Sequence, residues 1–155
     1  MHVNRLSALL VAGLSLPLLS GCSASNAASG IELLEQPATK ADALPSGSNA
    51  TGFKPGTARF AARAEGHSFY VALPANEEDT ESMPARPGVC IIVAEDDFTG
   101  CGGMPVNAMG ISFGTVQLVP DRFDASTLTS AGWKQLHRNV FVKGLKPIPS
   151  PEPSP

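Results

Sequence analysis

Residues 89–94 read Val-Cys-Ile-Ile-Val-Ala and carry no charged or strongly polar side chain at either parity. Successive residues of a strand point to opposite faces, so such a run marks a central strand buried on both sides. Neighbouring segments offer it partners. Glu95-Asp96-Asp97 turns the chain, and residues 98–101 return it. Upstream, residues 57–73 read as a hairpin centred on Glu65-Gly66, where glycine tolerates the positive φ of a two-residue turn. Ala62 then faces Phe69, Phe60 faces Val71 and Ala58 faces Leu73, with Arg59 and Arg63 on the other side. A one-residue slip would flip that apolar set outward. The alanines of residues 57–65 also suit a helix; Gly66 and the alternation favour strand.

Downstream, residues 102–108 read as a loop. Met109, Ile111 and Phe113 alternate with Gly110, Ser112 and Gly114, and the apolar phase then moves to Val116 and Leu118. A phase switch at Gly114-Thr115 predicts a β-bulge in one continuous strand. Val119-Pro120-Asp121 ends that strand. Residues 124–131 read as a short helical turn or loop, and residues 133–136 and 139–142 as a last strand or hairpin. The expected fold is mainly β, a small antiparallel sheet or sandwich of about six or seven short strands.

Residues 23–56 are rich in Ser, Ala, Asn, Gly and Thr, with one apolar cluster at Ile31, Leu33 and Leu34. That composition offers little surface to offset ordering entropy, so residues 22–56 are expected to form a disordered, flexible linker. The Ile31 cluster is expected to be a transient helical turn, with docking on the domain or membrane the alternative. Residues 144–155 carry proline at 147, 149, 151, 153 and 155, which predicts an extended, disordered tail. The folded domain is then residues 57–143.

The N-terminus has an address. Arg5 and the terminal amine form a positive region, and residues 6–19 are an apolar run of fourteen, too short to span a bilayer. Leu19-Ser20-Gly21-Cys22 closes it and resembles the lipobox of bacterial lipoproteins. The resemblance implies cleavage between Gly21 and Cys22 and a diacylglycerol on the Cys22 thiol, the one covalent group expected and the only cofactor-like one. Two acyl chains are the number stable anchoring needs. The chain would then sit on the outer face of the bacterial cytoplasmic membrane, or on the outer membrane where there are two. The alternative is a secreted protein cut after Ala27.

Lipidation also resolves the odd count of three cysteines. With Cys22 consumed, Cys90 and Cys101 remain, and outside the cytoplasm they are expected to oxidise to a disulfide. If they sit opposite each other, Ile92 faces Thr99 and Val93 faces Phe98. A metal site is the competing reading, with only His67 and His137 as further ligands.

Gly88-Val89-Cys90-Ile91-Ile92-Val93, Cys101, Val119-Pro120-Asp121, Trp133 and Asn139-Val140-Phe141-Val142 look like a pattern of small exported domains from high-GC Gram-positive bacteria. The resemblance covers residues 57–143. It implies an uncharacterised envelope protein and carries no catalytic residues.

Loss of Arg5 leaves 10 basic against 14 acidic side chains, about −4 in charge, which argues against a nucleic-acid partner. The acidic runs Glu77-Glu78-Asp79 with Glu81, and Glu95-Asp96-Asp97, lack calcium-loop spacing and read as a solvated loop and a turn. His67 or His137 with Asp97, Asp121 or Asp124 and a serine could be imagined as a hydrolase site, but no Gly-x-Ser-x-Gly elbow marks a nucleophile. Each histidine is expected at the surface or on an edge strand. Gly100, Gly102 and Gly103 match no phosphate-binding fingerprint. Trp133, Tyr70 and Phe98 are the candidate binding surface, as an aromatic patch for wall glycan or an envelope protein. The expected function is a tethered, non-catalytic binding or accessory module, with a small envelope hydrolase as the alternative.

Overall fold

The computed structural model describes residues 29–75 and 88–149. The signal region, Gly21 and Cys22, the acidic run at residues 77–81 and the prolines at 151, 153 and 155 lie outside the described residues. The elements are β1 (Arg59–Ala64), β2 (His67–Ala72), β3 (Val89–Val93), β4 (Phe98–Gly102), β5 (Val106–Gly110), β6 (Gly114–Leu118), a short helix α1 (Ala125–Ser130), β7 (Lys134–His137) and β8 (Val140–Lys143). They form two antiparallel four-stranded sheets, ordered β1-β2-β3-β4 and β5-β6-β8-β7. The fold is the expected mainly β class. Eight strands lie among the described residues, because β5 and β6 are two strands where one was expected, and β5 begins at Val106 inside the expected loop.

The two sheets pack face to face. Phe69, Val71, Val89, Ile91 and Val93 of the first meet Val106, Val116, Leu118, Val140 and Val142 of the second in one buried cluster. The alternate residues of β3, Cys90 and Ile92, face outward, yet they too are buried. The two-sided apolarity of that strand thus has two separate covers. Phe141 points outward from the second sheet and is covered with Val119 by Leu128 of α1, Phe123 and Trp133.

Hairpin registers follow the local chemistry. β3 and β4 pair as expected, with Cys90 opposite Cys101 and disulfide-bonded, Ile92 opposite Thr99 and Val93 opposite Phe98. The β1–β2 turn sits at Glu65 and Gly66, with φ of +52° and +90°. Ala62 faces Phe69 as expected, but a bulge after Phe60 places Phe60 opposite Tyr70 and Arg59 opposite Val71. The Phe60 ring then meets the Tyr70 ring edge-on, 5.5 Å between centroids, on the outer face.

Residues 109–118 correct the bulged-strand reading. Gly110 pairs with Gly114, so Ile111, Ser112 and Phe113 form the connection of a β5–β6 hairpin. The Phe113 ring folds inward beneath Gly110, where a Cβ would collide with it, and meets the Phe98 ring at a tilt, 5.0 Å between centroids. An apolar residue inside the turn had made the alternation look unbroken.

The cover of the first sheet is the segment expected to be a linker. From residue 29 onward it is docked on the domain. Ile31 is fully buried, with Leu33 and Leu34 against the central cluster, and Leu44, Ala50 and Phe53 lie over Cys90, Ile92 and Tyr70. Composition averaged over the segment hides these few apolar residues, each of which fills a place. Polar clamps fix the path. Arg59 Nε donates to Gln36 O, Tyr70 Oη to Ala43 O, and Asn49 N and Nδ2 to the Asp97 carboxylate. Ile31→Ala is expected to cost about 2–5 kcal/mol in urea unfolding, the range of a large-to-small change in a packed core. A solvated linker would show no change.

Asp42 is the principal clamp between this strap and β1. It accepts from Phe60 N at 2.7 Å, Thr39 N at 2.6 Å and Thr39 Oγ1 at 2.8 Å. Partial burial pushes its carboxyl up, but those donors outweigh it and hold the group below the ordinary carboxylate value. A carboxyl lowered by folding contributes stability above its unfolded pKa and loses it as pH falls through the folded one. The stability gap between the native chain and Asp42→Asn should therefore narrow on acidification. Urea midpoints of the two chains at neutral and acid pH would show it.

The expected disordered tail is also partly seated. Leu145 packs on the core, and Ile148 N donates to Glu65 O at 2.9 Å.

Candidate functional site

One end of the sandwich gathers three connections and the tail: the β1–β2 turn, the Ala94–Asp96 turn after β3, the β5–β6 hairpin and residues 144–148. His67 lies at their centre. It shares the inward parity of Phe69 and Val71 and is 1 % exposed. The expectation of a surface or edge position fails here because β2 is an inner strand and the tail closes over its first residue. His67 Nδ1 lies 2.8 Å from Asp96 Oδ2, and Nε2 lies 2.9 Å from Lys146 O. Ser112 Oγ donates to the other Asp96 oxygen. Lys146 Nζ donates to Ile111 O at 3.2 Å, tying the tail to the hairpin.

The grouping of histidine, carboxylate and serine does not have the connectivity of a nucleophilic triad. There, one ring nitrogen faces the hydroxyl and the other the carboxylate. Here both the serine and the histidine address the carboxylate, and a backbone carbonyl closes the second ring nitrogen. The arrangement can hold three loops and the tail together. Asp96 was absent from the acids weighed against the histidines. Those acids are engaged elsewhere: Asp97 with Asn49, Asp121 with Asn139 Nδ2 and Glu32 N, and Asp124 with Ser126 N at the start of α1. Asn49 holds Asp97, and Ser126 holds Asp124, below the ordinary carboxylate value. Glu95 accepts from Ser68 N and Oγ. The three acids of the turn thus diverge to separate partners: Glu95 to Ser68, Asp96 to His67 and Ser112, and Asp97 to Asn49.

His137 sits away from this end, half-buried on β7, and burial pushes its imidazole below the ordinary value. Asn139 beside it is fully buried and donates to Val119 O and Asp121 Oδ1. Asp121 in turn takes Glu32 N at 2.6 Å, and Asp121 N donates to Gly30 O. This clip seats the start of the strap at the far end of β6, one strand length from Ser112.

The three aromatic residues proposed as a binding surface are not brought together. Tyr70 is buried under the strap, and burial raises its phenol pKa; Phe98 packs on Phe113 in the centre; Trp133 lies half-buried over Phe141. Alternation could have placed His67 and Phe98 inward, whereas the strap over Tyr70 left no periodic signal. Among the described residues, the large apolar side chains left most exposed are instead Ile111, at 93 %, and Met109, on the β5–β6 hairpin. The site and fold define a disulfide-stapled β sandwich closed at one end by a buried polar latch. No known protein family, curated protein or solved structure matches the chain.

Proposed function

We propose that this chain is a cell-envelope lipoprotein, anchored through Cys22, whose sandwich is a non-catalytic binding or accessory module. The observation that carries the reading is Leu19-Ser20-Gly21-Cys22 at the end of a short apolar run behind a positive start. The Cys90–Cys101 disulfide agrees with an oxidising location. Occupation of His67 Nε2 by Lys146 O favours a structural role for the histidine over the hydrolase alternative. Wall glycan or another envelope protein remains the class of partner. With Cys22 as the anchor, the strap residue Ser29, already on the domain, lies close to it along the chain. Seven residue steps span at most roughly 25 Å. The end bearing Ile31 and Asp121 would face the bilayer, and the hairpin with Ile111 and Met109 would face away.

Metabolic labelling with radioactive palmitate tests the anchor. Label is expected in the native chain and absent from Cys22→Ala. Recovery of unlabelled native protein in the medium, starting after Ala27, would overturn the reading.

A further inference from the structure

We propose that His67 is a proton-gated latch on the C-terminal segment, holding residues 144–149 when both ring nitrogens carry protons and loosening them when one proton leaves to solvent. Both groups that face the ring are acceptors. Asp96 Oδ2 lies on the Nδ1 side and Lys146 O on the Nε2 side. Making both hydrogen bonds takes both N–H protons. A neutral ring has one. The carboxylate retains it, because a hydrogen bond to an ionised acceptor is the stronger. Nε2 then turns a lone pair on Lys146 O, and the tail loses its inner attachment. The packing of Leu145 remains, with two surface hydrogen bonds, Ile148 N on Glu65 O and Lys146 Nζ on Ile111 O.

The charged groups around the ring come from each element that packs on it. The turn after β3 supplies Asp96, and also Glu95, whose carboxylate is taken by Ser68. The tail supplies Lys146, with its ammonium on Ile111 O. The β1–β2 turn supplies exposed Glu65, and β1 sets Ala64 opposite His67 and leaves Arg63 in solvent. The hairpin contributes only the Ser112 hydroxyl, which donates to Asp96 and leaves its Oδ2 to the ring. Histidine is the side chain whose proton ordinarily comes and goes near neutral pH. The latch is independent of whether Cys22 is acylated.

Amide exchange of the full chain, corrected for the intrinsic pH dependence of exchange, tests it. Between about pH 5 and pH 8, protection of the Ile148 amide, which is bonded to Glu65 O, should fall roughly tenfold while that of β8 holds. Asp96→Asn is the discriminating variant. Its amide can donate to an unprotonated Nδ1 and still accept from Ser112, leaving Nε2–H for Lys146 O, so tail protection should become independent of pH. His67→Gln should leave the tail loose throughout. Should that variant not fold, nitrogen NMR of the native ring supplies the second measurement: two protonated nitrogens at the acid end and one at the basic end. Unchanged tail protection in the native chain, or a full pH response retained in Asp96→Asn, would overturn the latch.

Discussion

Gly114→Ala is expected to destabilise the domain by about 3 kcal/mol or more, combining left-handed backbone strain with overpacking. Gly114 opens β6 with φ of +70°, and a Cβ there would stand 2.5 Å from both Lys143 O and Gly144 O. Those atoms are backbone, of the last residue of β8 and of the residue that follows it, so neither can swing away as a side-chain end would. Gly132 supplies the control. Its φ is +82°, but nothing lies within 4 Å of the added carbon. Gly132→Ala should therefore lose only about 1 kcal/mol, the conformational part. The difference between the two urea midpoints isolates the collision. Equal midpoints would mean that β8 does not pass where the structure places it.

Removing the disulfide has the second large effect. Cys90 and Cys101 close a loop with a sequence separation of 11, worth about 3 kcal/mol on loop-entropy grounds. In a domain of this size that corresponds to a fall in Tm on the order of 15 °C. The staple joins central β3 to edge strand β4, so its loss should free β4 first, with Phe98 and its partner Phe113. Thermal melts of the native chain with and without reductant, and of the Cys90→Ala, Cys101→Ala double variant, measure it. Coincident melts would show that the sheet alone holds β4.

Strand pairing was legible in the residues where one covalent or steric fact set the register. Placing Cys90 opposite Cys101 placed every other pair of β3 and β4. Glu65-Gly66 did the same for the turn of β1 and β2, until the unpaired Ala61 shifted the register by one. Nothing in Phe60-Ala61-Ala62 announces that bulge, because alanine suits either face. The strap was illegible for another reason. Ile31, Leu44 and Phe53 follow no single period; Ile31 fills a place between the two sheets, and Leu44 and Phe53 cover the outer face of the first, surfaces that exist only once distant strands have paired. The latch at His67 joins groups 29 and 79 residues away along the chain, so no local spacing could reveal it.

The strap is pinned at one end of the sandwich, by Asp121, and the tail departs at the other, beside Ser112. Tension drawn between the two termini would run along the strands. Ladder hydrogen bonds in β6 and β8 would then be strained together, in shear, instead of opening one after another like a zip. A domain pulled from its two termini gains mechanical endurance from that placement alone.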